Sequence, residues 1–278
     1  MNNRRIVLIP VALAPITSAA IVLTPRALVY VAAVVGLAVA GVSSAFAGSP
    51  RAVVELFTSQ GCSSCPPADR LMGELARDPS LVVMSLPVDY WDYLGWKDTL
   101  ALHGHSLRQR AYSIARGDRE VYTPQAVVNG VVHVLGSNKA AIEKAIAETD
   151  AADAPLTLPV TVTVADGMVT VTVPAAKAGL TVLTGSAEIW LCPITAAAKV
   201  VIGRGENSGH TLTYHNVARR WVKLGIWTGK AETFSLPLSQ LPDADFALKD
   251  VNELAVIVQS GSAAKPGLML GAATVALR

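Results

Sequence analysis

The stretch ELFTSQGCSSCPPADRLMGELA, residues 55–76, holds two of the chain's three cysteines, Cys62 and Cys65, between an apolar run and a helical pattern. AVVELFT, residues 52–58, reads as a strand, PPADRLMGELARD as a helix that can begin on a proline, and LVVMSLPVDY as a second strand. A close cysteine pair at a strand-to-helix junction can be a redox centre, a metal clamp or a structural staple. The compartment and the surrounding residues have to separate these.

The chain has 278 residues and opens with a segment in which the only charges up to Ala47 are Arg4, Arg5 and Arg26. Two apolar stretches follow those arginines, and the second ends at Ala45-Phe46-Ala47, with small residues at the two positions a signal peptidase reads. Residues 1–47 are therefore expected to be an export signal cleaved after Ala47; an uncleaved segment would tether the protein to a membrane. Cleavage removes three of the 23 basic residues and none of the 21 acidic ones, leaving a balance of about −1. A nearly neutral chain without a basic run is not expected to have nucleic acid as its partner. The expected location is periplasmic or secreted, where a close cysteine pair can persist as a disulfide.

Working outward, residues 50–149 alternate strand and helix. KDTLALHGHSLRQRAYSIARG suggests a helix capped by Asp98 and ended by Gly117, and PQAVVNG and VVHVLG are two strands joined at Asn129-Gly130, a strong hairpin signal. NKAAIEKAIAETD closes the unit as a helix. Residues 150–156, rich in small residues, acids and proline, read as a linker. From 157 to 278 the period becomes two: LTLPVTVTVADGMVTVTVPA is a hairpin about Asp166-Gly167, and AEIWLCPI, AKVVIGRG, ETFSLPLSQ, ELAVIVQS and TVAL supply further strands of an antiparallel, sandwich-like half.

A Cys-x-x-Cys between strand and helix in an alternating unit is the pattern of thioredoxin-like redox sites. The attacking species is a thiolate, which a helix N-terminus stabilises. Cys62 is the expected nucleophile and Cys65 the resolving thiol. Because Pro66 and Pro67 follow Cys65 directly, the helix is expected to start at Pro66 and leave Cys62 in the preceding loop, with weaker support for its thiolate.

VYTPQAVVNGVVHVLGSNKAAIEKAI resembles the back half of a thioredoxin fold, and that resemblance puts a cis-proline at Pro124 beside the cysteines, with the backbone of Thr123 free to pair with an extended substrate. Glu55 resembles the buried acid that relays protons to the resolving cysteine, one residue further from the pair than in thioredoxin; an ordinary strand acid is the alternative. AVVELFTSQGCSSCPPADRLMGELA, PVDYWDYLGWKD, RQRAY, VYTPQAVVNG and IGRGENSGHTLTYHNVARRWVKLG together look like a family of exported bacterial proteins known mainly as a domain of unknown function. The resemblance implies an α/β thioredoxin-like domain followed by an all-β antiparallel sandwich-like domain, and supplies no established reaction.

The segment PVDYWDYLGWKD puts Tyr90, Trp91, Tyr93 and Trp96 within seven residues. It is either a substrate groove or a loop packed under the helical region, with Asp89 and Asp92 capping turns. His103, His105, His133, His210 and His215 lack metal-site spacing, and no metal ligands are assigned. Arg204, Glu206 and Arg219 are expected to pair within the sandwich, GRGEN is too short for a phosphate loop, and Cys192 reads as a buried core residue. The functional expectation is an exported thiol–disulfide oxidoreductase acting on a protein or small thiol without an organic cofactor. The alternatives are a Cu(I)-binding or delivery protein and a partner-binding envelope protein with a structural disulfide.

Overall fold

The computed structural model describes residues 49–153, 155–176 and 186–277; the expected leader over residues 1–47 lies outside them. Among the described residues no helix is long and apolar enough to cross a membrane.

The first half alternates as its sequence pattern suggests. Strand β1 (Ala52–Thr58) and strand β2 (Leu81–Pro87) are buried along their whole length and pair in parallel, joined by helix α1 (Pro66–Leu75). Burial on both faces is why each reads as an unbroken apolar run. Helix α1 starts on Pro66 and Pro67, with Cys65 as its N-cap; fixed φ and a missing N–H are tolerated in a first turn. Helix α2 (His103–Arg116) ends on Gly117 at φ 84°, as the pattern suggests, but begins five residues later than Asp98. Asp98 caps nothing there, because its carboxylate accepts the backbone N–H groups of Gln60 and Leu100 at 2.8 and 2.9 Å. Strands β3 (Gln125–Val128) and β4 (Val132–Leu135) form the hairpin, with Asn129 and Gly130 at φ 49° and 79°. Helix α3 (Lys139–Asp153) runs on into the segment expected to be a linker.

The second half is β-rich, with strands β5 (Thr161–Ala165), β6 (Met168–Val173), β7 (Ala187–Val201), β8 (Thr211–Ala218), β9 (Val222–Trp227), β10 (Glu232–Pro237), β11 (Glu253–Ser262) and β12 (Lys265–Ala276). AEIWLCPI and AKVVIGRG, expected as two strands, are one continuous β7. It changes neighbour along its length, pairing β9 through Leu191 and β8 from Ile194. Pro193 sits between those two stretches, where a residue that cannot donate to a ladder costs least.

The two halves share one mixed sheet in the order β12-β11-β7-β8-β2-β1-β3-β4, with β9 also on β7 and a separate three-stranded sheet β10-β6-β5. The fold is thus α/β with a β-rich C-terminal part, but that part is joined edge-on to the first rather than set apart as a separate sandwich. The joint in the sheet is a single parallel bridge, Ser85 to Val217. Packing reinforces it: α1 lies across β8, where a Cβ on Gly73 would come within 2.6 Å of the His215 ring. Alternation along β1 divides the core. Ala52, Val54 and Leu56 pack with α1 and α3, whereas Val53 and Phe57 pack with Tyr112 of α2 and with Ile257 and Met269 of the second half. A third cluster fills the space between the small sheet and β7, β9, β11 and β12.

Candidate functional site

Strand β1 ends at Thr58, and the chain crosses a seven-residue loop to α1 carrying Cys62 and Cys65, which form a disulfide with a Cα–Cα distance of 5.4 Å. Both are covered: Cys62 is 1% exposed and Cys65 0%. The N–H of Cys62 donates to the Ser59 carbonyl, that of Cys65 to the Cys62 carbonyl, and those of Ala68 and Asp69 to the Cys65 carbonyl. The hydroxyl of Ser64 lies 3.4 Å from the Cys62 sulfur and 3.5 Å from the Thr123 carbonyl, to which it donates. The Thr123–Pro124 peptide is cis. Cys62, Cys65, Thr123 and Pro124 therefore share one place at the end of the sheet.

Glu55 lies elsewhere. Three residues before Thr58 on an alternating strand, it faces away from α1 with Val53 and Phe57. It is wholly buried there, accepting from Arg108 Nε at 2.7 Å and from the Tyr112 hydroxyl at 2.5 Å. Arg108 also donates to Tyr112 and to Gln259 Oε1, and its guanidinium lies 4.1 Å from the Trp221 ring. The acid on the cysteine side is Asp69, four residues after Cys65 and on the same face of α1. Asp69 is 2% exposed; its Oδ1 accepts from the Thr58 hydroxyl at 2.7 Å, while its Oδ2 has no partner. Burial pushes its pKa up to about 8, with the Asp98 charge adding to the rise and the Thr58 hydrogen bond and Arg70 opposing it. The Tyr214 hydroxyl, also without a partner, is near enough to feel both Asp69 and Asp98. Helical spacing from Cys65 is the signal that could have pointed to Asp69; strand parity is the one that separates Glu55 from the pair.

The four aromatic residues divide their work. Trp91 donates to the Thr123 hydroxyl at 2.8 Å and lies against Gly61, where a Cβ would come within 2.9 Å of its own Cβ. Trp96 donates to Gln60 Oε1 at 2.8 Å. These two rings hold the cysteine loop. Tyr90 donates to Gln109, and Tyr93, 77% exposed, stacks on Trp91 with ring centres 6.4 Å apart.

The remaining walls come from the second half. The turn between β7 and β8, residues 202–210, projects onto the cysteine loop, where Asn207 Nδ2 donates to the carbonyls of Gln60 and Cys62, both at 2.9 Å. Glu206 Oε2 accepts the Ser63 N–H at 3.0 Å, so this acid does not pair within the sandwich as expected. Its partner is a backbone amide 143 residues away. Trp96 fills the gap beneath, its ring 2.9 Å from where a Cβ on Gly203 would be. Glycines around Glu206 and Asn207 mark a turn, and nothing local in the sequence says what the turn touches.

Comparison with known proteins fits the same span. The family model described as "Protein of unknown function (DUF1223)" matches residues 53–259, from β1 into β11. The chain belongs to this family. A crystal structure of a protein from Agrobacterium tumefaciens is 31% identical, with a TM-score of 0.70, covering 82% of this chain and 95% of that one. HBP35 of Porphyromonas gingivalis is similar in fold alone, at 14% identity and a TM-score of 0.52 over 81% of this chain and 74% of that one. No curated protein matches.

In this DUF1223 chain the histidines are engaged separately. His103 pairs with Asp89 at 2.8 Å, His105 meets the Pro87 carbonyl at 2.9 Å with burial pushing its pKa down to about 4, and His133 meets Tyr122 and Gln125. Among the described residues no group of three or more His, Cys, Asp or Glu side chains is placed to hold a metal ion. Cys192 is buried, and burial raises its thiol pKa. Arg219 donates to the Asp245 carbonyl.

Proposed function

We propose that the protein is a thiol–disulfide oxidoreductase of the cell envelope with a thioredoxin-like first half. One observation carries this reading: the Cys62–Cys65 pair closes the loop into α1 directly beside the cis Thr123–Pro124 peptide. The strand order β2-β1-β3-β4, with α1 and α2 as connections and α3 after β4, supports the thioredoxin-like assignment. The export signal expected over residues 1–47 supports the envelope location, where such chemistry is used.

In the reductive direction, the Cys62 thiolate attacks one sulfur of a substrate disulfide and releases the other as a thiolate. Cys65 then attacks the Cys62 sulfur, freeing the second substrate thiol and leaving Cys62–Cys65 oxidised, so two electrons pass to the substrate. Cys65 is fully buried and must lose its proton before attacking, and Asp69, one turn along α1, is placed to accept it. Glu55, on the other face of β1 with Arg108 and Tyr112 on its oxygens, is not assigned that task in this reading. Thr123, Trp91 and the exposed Tyr93 border the side from which an extended substrate could reach Cys62.

The test is exchange with glutathione and with a disulfide-bonded protein. Cys65→Ser should accumulate mixed disulfides through Cys62, and Cys62→Ser should accumulate none. The 1% exposure of Cys62 favours a second reading, in which the disulfide is a staple and the surface binds a partner. That reading gains if the folded protein resists reduction by a small dithiol and neither variant traps a substrate.

A further inference from the structure

The amides around Cys62 are almost all spoken for. A reduced Cys-x-x-Cys site is reactive when backbone N–H groups and the positive end of a helix face the first sulfur. Here α1 opens on two prolines, so its first two positions have no N–H to offer, and the next two amides, of Ala68 and Asp69, go to the Cys65 carbonyl. The amides of Cys62 and Cys65 also end on carbonyls. The Ser63 amide, adjacent to Cys62, ends on the carboxylate of Glu206.

The geometry points to Glu206 as a positioning residue that sets the direction of the reaction. By taking the Ser63 amide and placing a negative charge beside Cys62, it disfavours the thiolate and poises the pair as a reductant. This rests on the oxidoreductase reading and adds its direction. A dithiol that gains no stability from a favoured thiolate is held less firmly in the reduced form than one that does, so the reduced protein hands two electrons readily to substrate disulfides. It must then be recharged by a dithiol donor of still lower potential, itself oxidised to a disulfide in the exchange.

The turn is built to hold Glu206 in place. Gly209 N–H donates to the Ile202 carbonyl, Ile202 N–H to His210, Ser208 N–H to Gly205 and His210 N–H to Asn207. The Ser208 hydroxyl donates to the Gly203 carbonyl at 3.1 Å. Asn207, 6% exposed, anchors the turn through its two carbonyl contacts on the cysteine loop. The Glu206 carboxylate itself is exposed, so water and salt screen its charge and its influence is moderate. The Ser64 hydroxyl, 3.4 Å from the Cys62 sulfur, is a neutral group whose proton goes to the Thr123 carbonyl.

The experiment uses the purified protein with Glu206→Gln, which keeps an oxygen for the Ser63 amide but removes the charge, and Glu206→Lys, which reverses it. Two quantities are read: the pH dependence of Cys62 alkylation in the reduced protein, and the equilibrium constant against glutathione. Cys62 in the parent should titrate at or above the ordinary thiol value of about 8.5. Glu206→Gln should raise the Cys62 thiolate fraction at neutral pH about two- to fivefold, and the glutathione equilibrium, measured above the Cys62 pKa at about pH 10, should move toward the dithiol by a similar factor. Glu206→Lys should move both further, and about 1 M salt should erase most of the difference. A merely structural role for Glu206 would change neither quantity in the folded protein. The inference is overturned if Cys62 in the parent titrates well below 8.5, or if both variants exchange with glutathione as the parent does. Failure of the folded parent to be reduced at all would overturn the oxidoreductase reading, and the inference with it.

Discussion

Two buried carboxylates lie on opposite sides of β1 and meet opposite fates. Glu55 has Arg108 and Tyr112 on its oxygens, with Gln259 from the second half completing the network. Asp69, on the cysteine side, has one hydroxyl partner and one bare oxygen. A buried charge with its full set of partners is part of the frame, and removing one partner strands the rest. A buried acid left half-satisfied is cheaper to protonate than to keep charged, so it can take up and release a proton near neutral pH.

The largest effect should come from breaking the saturated side. Arg108→Met leaves Glu55 buried without its cation and should cost about 3–5 kcal/mol of stability, read by denaturant unfolding. Adding Glu55→Gln should recover a substantial part, because the stranded charge is then gone. Thiol exchange per folded molecule should be unchanged, since the network faces away from Cys62 and Cys65. A loss of exchange in the folded fraction would show that the two sides are coupled.

The second test sharpens the contrast through pH. The folded pKa of Asp69 is raised above its unfolded value, so the folded state binds the extra proton; its contribution is fully present below pH about 4 and is lost as pH rises through about 8. Asp98, raised to about 6 chiefly by burial, acts in the same direction over a lower range. His105, lowered to about 4 by burial, acts oppositely, its contribution being lost as pH falls from 6.5. Between pH 6.5 and 8 Asp69 dominates among these three, and stability should fall by about 1.5 kcal/mol, the slope easing from 1.36 kcal/mol per pH unit as the group becomes half-ionised near pH 8. Asp69→Asn should flatten that slope and slow the release of substrate by Cys65. A slope unchanged by the substitution would place the titration elsewhere.

Legibility in the sequence followed the range of the forces. The Cys62–Cys65 motif, the alternation over residues 50–149, and the turns at Asn129-Gly130 and Asp166-Gly167 are local, fixed by turn geometry and by residues a few positions apart. The side of β1 on which Glu55 lies was hidden because all seven residues of that strand are buried, so no polar alternation marks its faces. The start of α2 is not where the local pattern puts it, because Asp98 is a good cap in isolation and its preference for the Gln60 amide depends on a loop 38 residues earlier. The bond from Asn207 to Cys62 spans 145 residues and leaves no periodic trace. Two halves that read as separate units are thus joined at the cysteine loop.

The smallest structural effect, and the most selective functional one, belongs to Tyr93. At 77% exposure it supports little of the core, so Tyr93→Ala should change stability by no more than about 0.5 kcal/mol. Its ring stacks on Trp91, whose indole N–H is bound to Thr123, so it stands at the border of the place where the Cys62 loop and the cis peptide meet. A glutathione molecule reaching the sulfur would touch little of that ring, whereas an extended protein chain lying along Thr123 would cover it. Exchange with a protein disulfide should therefore fall about threefold to tenfold, the loss typical of about 0.5–1.5 kcal/mol of aromatic contact, while exchange with glutathione stays the same. Equal losses with both partners would mean that Tyr93 acts only by steadying Trp91. No loss with either would leave the aromatic segment as support for the loop and place substrate binding on another side of the disulfide.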